Sequence, residues 1–331
     1  MENIFNNLHG SKILITGGLG FVGSNIAHAC VQYGAKVTIF DCLDPKSGGN
    51  MQNIEEIKND VEIVLNDVRN FEPICEKILR KDFIFHCAAY TSHPQSMKDP
   101  VVDIDVNCKG TINVLEAVRR FNPDIKVIYI GTSTQIGKML LGHIDELHPE
   151  FPLDIYSANK TVAEKYVLIY GKAYNIRTTV IRLSNTYGPR SNIVSSDFGF
   201  MNYFIGLGLK GKEIPVYGDG VQLRNINYVE DAVEAMLLAA LNEKSNQEVY
   251  FAVSDEHLTI DDIAQTISTH IGGYVRYIEW PIERRIIEIG DMRINNKKIK
   301  AELDWLPKHD IAAGLKKTKA YYESCLEKYI R

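Results

Sequence analysis

Two short stretches carry the side chains best placed for chemistry. In "YSANK" a tyrosine, Tyr156, and a lysine, Lys160, stand four residues apart. On a helix that spacing puts both on one face. A free phenol, with a pKa of about 10, is a poor base at neutral pH. An ammonium beside it favours the phenolate, as would a positive nicotinamide ring, and each unit of depression is worth about 1.4 kcal/mol. A few units would bring the phenol into the range of general acid–base work. Some twenty residues upstream, "GTSTQIG" follows the apolar run "VIYI". Thr132 is thereby expected at the carboxyl end of a strand, where open α/β sheets bind ligands. Its hydroxyl would pass a proton between a substrate hydroxyl and Tyr156.

The second stretch is "ITGGLGFVG", residues 15–23, between the apolar run "KILI" and an amphipathic segment. A strand before and a helix after is the context that a dinucleotide fingerprint requires. Gly17 allows the sharp turn, Gly20 lets the backbone approach a pyrophosphate, and Gly23 lets the helix pack on the strand. Phe21 and Val22 open that helix, whose amino end offers free N–H groups and a positive dipole to the anion. No Lys-Ser/Thr pair follows the glycines, which disfavours an NTP-hydrolysing loop. About twenty residues on, Asp41 ends the next strand, placed to accept hydrogen bonds from ribose hydroxyls and to repel a 2′-phosphate. The cofactor expected is NAD, with Lys46 nearby as the one feature favouring NADP. Lys160 would also hold the nicotinamide ribose.

The elements that must position these groups are legible as a pattern. Apolar runs at 12–16, 36–40, 61–65, 83–87 and 127–131 fit strands buried on both faces of a parallel sheet. Between them "FVGSNIAHACVQYG", "FEPICEKILRK" and "DVNCKGTINVLEAVRRF" space apolar residues at three and four, as helices do. A long helix is expected from about Tyr156 to Tyr174, then the strand "RTTVIRL". The alternation predicts an α/β fold, a Rossmann-type doubly wound parallel sheet. Past Pro189, short elements separated by turns such as "YGDG" predict a smaller C-terminal α/β lobe against the ligand-binding edge. Residues 1–182 are read as the NAD-binding domain with the catalytic groups. Residues 183–331 are read as mainly the substrate-binding lobe, with interleaved boundaries.

Bulk composition narrows the partners. The chain has 331 residues, 45% of them hydrophobic and 24% charged, with a net charge of −5. That balance offers no basic field for nucleic acid or an anionic membrane. No run reaches the roughly 18 apolar residues of a membrane span, and the polar start "MENIFNNLHGSK" lacks an apolar signal core. The expected setting is the cytoplasm. Six scattered cysteines without a CxxC pair read as buried free thiols, with no metal site.

The ordered series "TGGLGFVG", Asp41, "NDVRN", "HCAAY", "DVNCKGT", "GTSTQIG", "YSANK", "RLSNTYGPR", "GDGVQLRNINYVED" and "GDMRINNKKIKAELDW" resembles the extended short-chain dehydrogenase/reductases, the NAD-dependent nucleotide-sugar epimerases and dehydratases. The resemblance spans nearly the whole chain. It implies that Asp67 and Val68 contact adenine, that Ala88 and Ala89 line the cofactor, and that Asn107 buttresses it. It likewise implies Asn185 at the sugar nucleotide and Arg224 and Arg293 as diphosphate clamps, a task suited to guanidinium forks. Ser133 sits in the substrate turn, and Ser92 or His93 is expected at the sugar. Departures bear on the reaction. Family dehydratases carry Asp-Glu directly after the threonine; here Ser133 and Thr134 stand there, so a 4,6-dehydratase is not expected. The usual "VYG" is "QIG", and the usual aspartate after Arg224 is Asn225.

What the resemblance implies is oxidation of a C4 hydroxyl in a UDP-, GDP-, dTDP- or CDP-sugar. Readdition of hydride to the other face of the 4-keto sugar makes a 4-epimerase; release of the keto sugar makes a net 4-dehydrogenase. A non-catalytic NAD sensor is the reading from a different class. Family members commonly form homodimers through helices corresponding to residues 101–121 and 156–174.

Overall fold

The computed structural model describes residues 4–330. Among them twelve strands run in chain order: β1 (Lys12–Thr16), β2 (Lys36–Asp41), β3 (Val61–Leu65), β4 (Phe83–His86), β5 (Lys126–Thr132), β6 (Arg177–Leu183), β7 (Asn185–Tyr187), β8 (Glu213–Tyr217), β9 (Leu223–Tyr228), β10 (Glu248–Ala252), β11 (His257–Thr259) and β12 (Tyr274–Ile278). Seven of them form one parallel sheet in the order β10-β6-β5-β4-β1-β2-β3. The chain winds outward from β1 one way and from β4 the other. The order therefore reverses between β1 and β4, which opens a crevice at their carboxyl ends.

The runs read as doubly buried are so in β1, β2 and β5. β3 is an exception: it lies at the sheet edge, is only half-buried, and leaves Leu65 61% exposed. Among the described residues no strand pairs beyond it. On one face of the sheet the helices Phe21–Gln32 and Val229–Leu241 pack against Ile13, Ile15, Ile128 and Ile181. On the other lie Gly110–Phe121 and Ile155–Tyr174, each contributing buried aliphatics. Past β7 the chain thus returns to the large sheet, among other places as β10 and as the helix Val229–Leu241.

A separate core joins the helices Phe200–Leu209, Ile260–His270 and Ile311–Glu323 to the small sheets β11-β9-β7 and β12-β8. This is the smaller lobe. All six cysteines are free thiols, but only Cys30 and Cys108 are buried. Cys42 is exposed, a correction to the sequence reading, because it follows β2 at the mouth of the crevice.

Candidate active site

The glycine loop bridges β1 and the helix Phe21–Gln32. Gly17 turns with φ +67°, and a Cβ there would meet the Ala88 amide nitrogen at 2.7 Å. A Cβ on Gly23 would lie 2.3 Å from the Gly17 carbonyl. At Gly20 the nearest protein atom to a Cβ is that same carbonyl, at 3.2 Å, and the residue lines the crevice. Two glycines are therefore demanded by packing, and Gly20 is left facing the groove. Gly20 caps the helix without a side-chain acceptor, so the first-turn N–H groups remain for a ligand. Asp41 ties the loop down: its carboxylate accepts from the Leu19 and Leu43 amides, both at 2.9 Å. Burial pushes its pKa up while these amides oppose the shift.

The groove runs along Gly17, Gly20, Phe21, Val22, Gly23 and Asp41 to Asp67, Val68, Ala88 and Ala89. Asp67 holds Arg69 by two contacts of 3.0 and 2.7 Å, which occupies the nearest guanidinium. Asp44, not Lys46, lines this end, so the anionic rim suits NAD. Asn107 is fully enclosed and does not line the groove. It pins the Tyr90 backbone, accepting from its N–H at 3.0 Å and donating to its carbonyl at 2.9 Å. A wide π-type turn at Ile104–Lys109 carries Asn107 at this buried position. The residues fit NAD, with a cradle that a Cβ would fill, a free helix end, and an acid at the ribose position. Sequence reasoning missed Asn192 and Phe198, which the later lobe brings to this groove and which no local motif marks.

The groove leads into a cavity lined by Thr132, Ser133, Tyr156 and Lys160. Thr132 is the last residue of β5, and the helix Ile155–Tyr174 begins one residue before Tyr156. Asp154 caps that helix, its Oδ1 accepting from the Ser157 amide at 2.8 Å. Lys160 is 4% exposed. Its ammonium donates to the Ile130 carbonyl at 2.6 Å and lies 4.1 Å from the Tyr129 ring centroid. Burial brings its pKa down to about 8, against the pull of Cys87, Glu164, Asp103 and Cys108. The Tyr156 phenol is pushed up, by burial first and then by the Asp103 and Asp154 carboxylates, while a hydrogen bond with Thr132 opposes them. The protein groups surrounding Tyr156 thus favour its neutral form, and the positive nicotinamide ring would oppose them when NAD is bound.

Beyond Tyr156 a second cavity opens between the lobes. Asn185 stands where the two meet and donates to the Asn225 carbonyl at 2.9 Å. Arg224 lines it, donating to Glu288 at 2.5 Å and to the Gly290 carbonyl at 2.6 Å. Arg293 is exposed and lines neither cavity. The second guanidinium is Arg284, which contacts Ser196 at 3.1 Å; its only sequence signal was the basic pair in "IERR". Trp280 and Tyr217 form an aromatic wall with ring centroids 5.2 Å apart. His93 lines both cavities, but Ser92 is buried and caps the helix His93–Lys98, its Oγ accepting from Gln95 at 3.2 Å. Asn225 and Gln135, the two other departures, face inward. Asn225 bonds Ser184 and the Ser254 carbonyl, and Gln135 donates to Glu164 at 2.8 Å beside the buried Arg182.

A family model for the NAD-dependent epimerase/dehydratase family matches residues 13–252. The chain belongs to this family. Within the family, a putative UDP-glucose 4-epimerase of Methanocaldococcus jannaschii is 33% identical over 92% of this chain and 96% of that protein. A UDP-N-acetyl-alpha-D-glucosaminuronate decarboxylase of Bacillus cytotoxicus is 30% identical over 94% of this chain and 97% of its own length. The structure of dTDP-glucose 4,6-dehydratase from Bacillus anthracis, in complex with NAD, is 29% identical with a TM-score of 0.83. It covers 97% of this chain and 99% of that one. Family membership makes NAD the cofactor and nucleotide-sugar chemistry the class. It spans several reactions, so the choice among them falls to individual residues.

Proposed function

We propose that this enzyme is an NAD-dependent nucleotide-sugar 4-epimerase. The observation that carries the reading is the turn after Thr132: where elimination of water needs a carboxylic acid and a carboxylate, Ser133 and Thr134 present hydroxyls. Tyr156 and Lys160 stand complete in the same cavity. In this reading Tyr156 takes the C4 hydroxyl proton with Thr132 orienting that hydroxyl, and Lys160 holds the nicotinamide ribose. When bound, NAD supplies the hydride acceptor and later the hydride donor. Arg224 and Arg284 bind the diphosphate while the 4-keto sugar turns its other face to the ring; Tyr156 then returns the proton. The similarity to a putative UDP-glucose 4-epimerase supports this.

A net 4-dehydrogenase is the second reading, favoured by the acid–base pair Asp154–His93 beside Tyr156, 2.7 Å apart. The test is product mass after incubation with NAD and UDP-, GDP-, dTDP- and CDP-sugars. Unchanged mass with altered retention is the expected result. Loss of two hydrogens with NADH would establish the dehydrogenase, and loss of water would overturn the reading of Ser133 and Thr134. Tyr156→Phe should abolish turnover, by about 10²-fold or more, with NAD still bound; a non-catalytic sensor would be indifferent to it.

A further inference from the structure

Tyr156 must lose a proton before it can act as a base, yet it is only 8% exposed. Lys160 gives that proton no outlet, being buried and engaged with the Ile130 carbonyl. Another path leads away from the phenol. Tyr156 and Thr132 line one cavity, the threonine hydroxyl opposing the rise of the phenol pKa, and Thr132 Oγ1 lies 3.0 Å from Thr134 Oγ1. Thr134 Oγ1 lies 3.0 Å from Ser157 Oγ, and Ser157 Oγ lies 3.1 Å from Asp154 Oδ2. The same Asp154 Oδ2 meets His93 Nδ1 at 2.7 Å. Asp154 has a side chain 4% exposed, whereas that of His93 is 32% exposed on the cavity rim. The His93 ring also stands edge-on to the Tyr156 ring, with centroids 4.8 Å apart.

Helix capping does not account for this arrangement. Oδ1 of Asp154 already caps the helix through the Ser157 amide, a task that serine or threonine performs as well. Oδ2 is left for the Ser157 hydroxyl and the imidazole, and only a carboxylate there takes up an excess proton. The titratable groups facing the pair are Tyr156 on the same helix and Asp103 from the turn Pro100–Asp103. Asp197 and Arg284 line the same cavity.

We propose that Thr132, Thr134, Ser157, Asp154 and His93 form a proton relay carrying the Tyr156 proton to solvent, with His93 as its outlet. The proposal rests on Tyr156 being the base. As the Tyr156 O–H bond breaks, its proton passes to Thr132 Oγ1, whose own proton moves to Thr134. The Thr134 proton moves to Ser157, and the Ser157 proton moves to Asp154 Oδ2 and on to His93 Nδ1. Nε2 of the imidazole then gives one proton to water. One proton leaves the phenol and one enters solvent, with no change in electrons. Every hydroxyl keeps one hydrogen.

The test needs no sugar. The protein is mixed with NAD in weak buffer near pH 8, and proton release is followed with an indicator dye in a stopped-flow instrument. Ser157→Ala removes one hydroxyl while keeping the amide that caps on Asp154, and His93→Ala removes the outlet. Both should release the proton about tenfold or more slowly than the unaltered protein, with NAD affinity unchanged by calorimetry. Free imidazole should restore the rate of His93→Ala but not of Ser157→Ala. No proton release from the unaltered protein, or equal rates in all three, overturns the relay. Relay-dependent release without turnover of any nucleotide sugar would instead remove the epimerase reading and leave the relay standing.

Discussion

The glycine loop offers a prediction in which the three positions must separate. Gly23→Ala places a methyl group 2.3 Å from the Gly17 carbonyl and 2.9 Å from the Gly17 carbonyl carbon and Gly18 Cα. All three are backbone atoms, and ordinary contact begins at 3.4 Å. The helix must therefore move off the loop by roughly 1 Å, an overpacking cost of about 1–3 kcal/mol. Gly17→Ala adds left-handed strain to a contact of 2.7 Å with Ala88 and should cost at least as much. Gly20→Ala is different. Its φ of −78° suits alanine, and the one contact is 3.2 Å. Loss of a tolerated N-cap residue is offset by about 0.4–1 kcal/mol of lost unfolded-state freedom. Stability should change by less than about 1 kcal/mol, a shift of only a few degrees in Tm. The methyl group instead enters the path of the pyrophosphate. NAD affinity should fall by about tenfold or more, about 1.4 kcal/mol. Thermal melts without ligand and calorimetric titration with NAD read the two effects separately. Gly20→Ala binding NAD as well as the unaltered chain would refute the assignment of this groove, and Gly23→Ala melting normally would refute the packing argument.

Three further outcomes are expected. Because burial lowers the Lys160 pKa to about 8, the unfolded chain holds a proton between about pH 8 and 10.5 that the folded chain has lost. Stability contributed by this group therefore rises with pH across that window, by at most about 1.4 kcal/mol per pH unit. Denaturant titrations of Lys160→Met should show a flatter pH dependence than the unaltered protein, and parallel curves would contradict the burial argument. Glu288→Gln releases Arg224 from its carboxylate partner, so UDP should bind severalfold more tightly by calorimetry, while Arg224→Leu should weaken UDP and leave NAD binding intact. Ile104, Phe121, Val162 and Ile169 are 47%, 48%, 39% and 56% exposed on the two helical segments where a homodimer is expected. Val162→Glu with Ile169→Glu should sediment as a monomer at micromolar concentration, and a monomeric unaltered protein would remove the dimer.

The chemistry-bearing motifs were readable because each is local. A strand, a turn with φ above zero, and a helix sit within a dozen residues around Gly17, so residue type and spacing suffice to specify them. The same holds for Tyr156 and Lys160, one helical turn apart. Burial on both faces was legible for β1, β2 and β5 but not for β3, since a run of apolar residues does not reveal whether another strand lies beside it. β10 escaped notice because its partner, β6, lies about seventy residues earlier.

Where the sequence reading failed at the site, the deciding contacts were distant in the chain. "DMR" and "ERR" both offer an arginine near the end of the lobe. Arg284 reaches the cavity wall beside Ser196 and Asp197, nearly ninety residues earlier, and Arg293 stays exposed outside it. Ser92 and His93 are neighbours, yet one turns inward to cap a helix and the other lines the two cavities. The Asp154–His93 pair joins residues 61 positions apart. The sequence by itself thus determined six of the seven strands of the large sheet, the glycine loop and the Tyr156–Lys160 pair, because backbone periodicity and glycine sterics act over a few residues. Only the tertiary structure decided which arginine lines the cavity between the lobes, that the phenol lies among groups favouring its neutral form, and which hydroxyls stand between it and the cavity rim, because burial and hydrogen bonding depend on segments that meet only when the chain is folded.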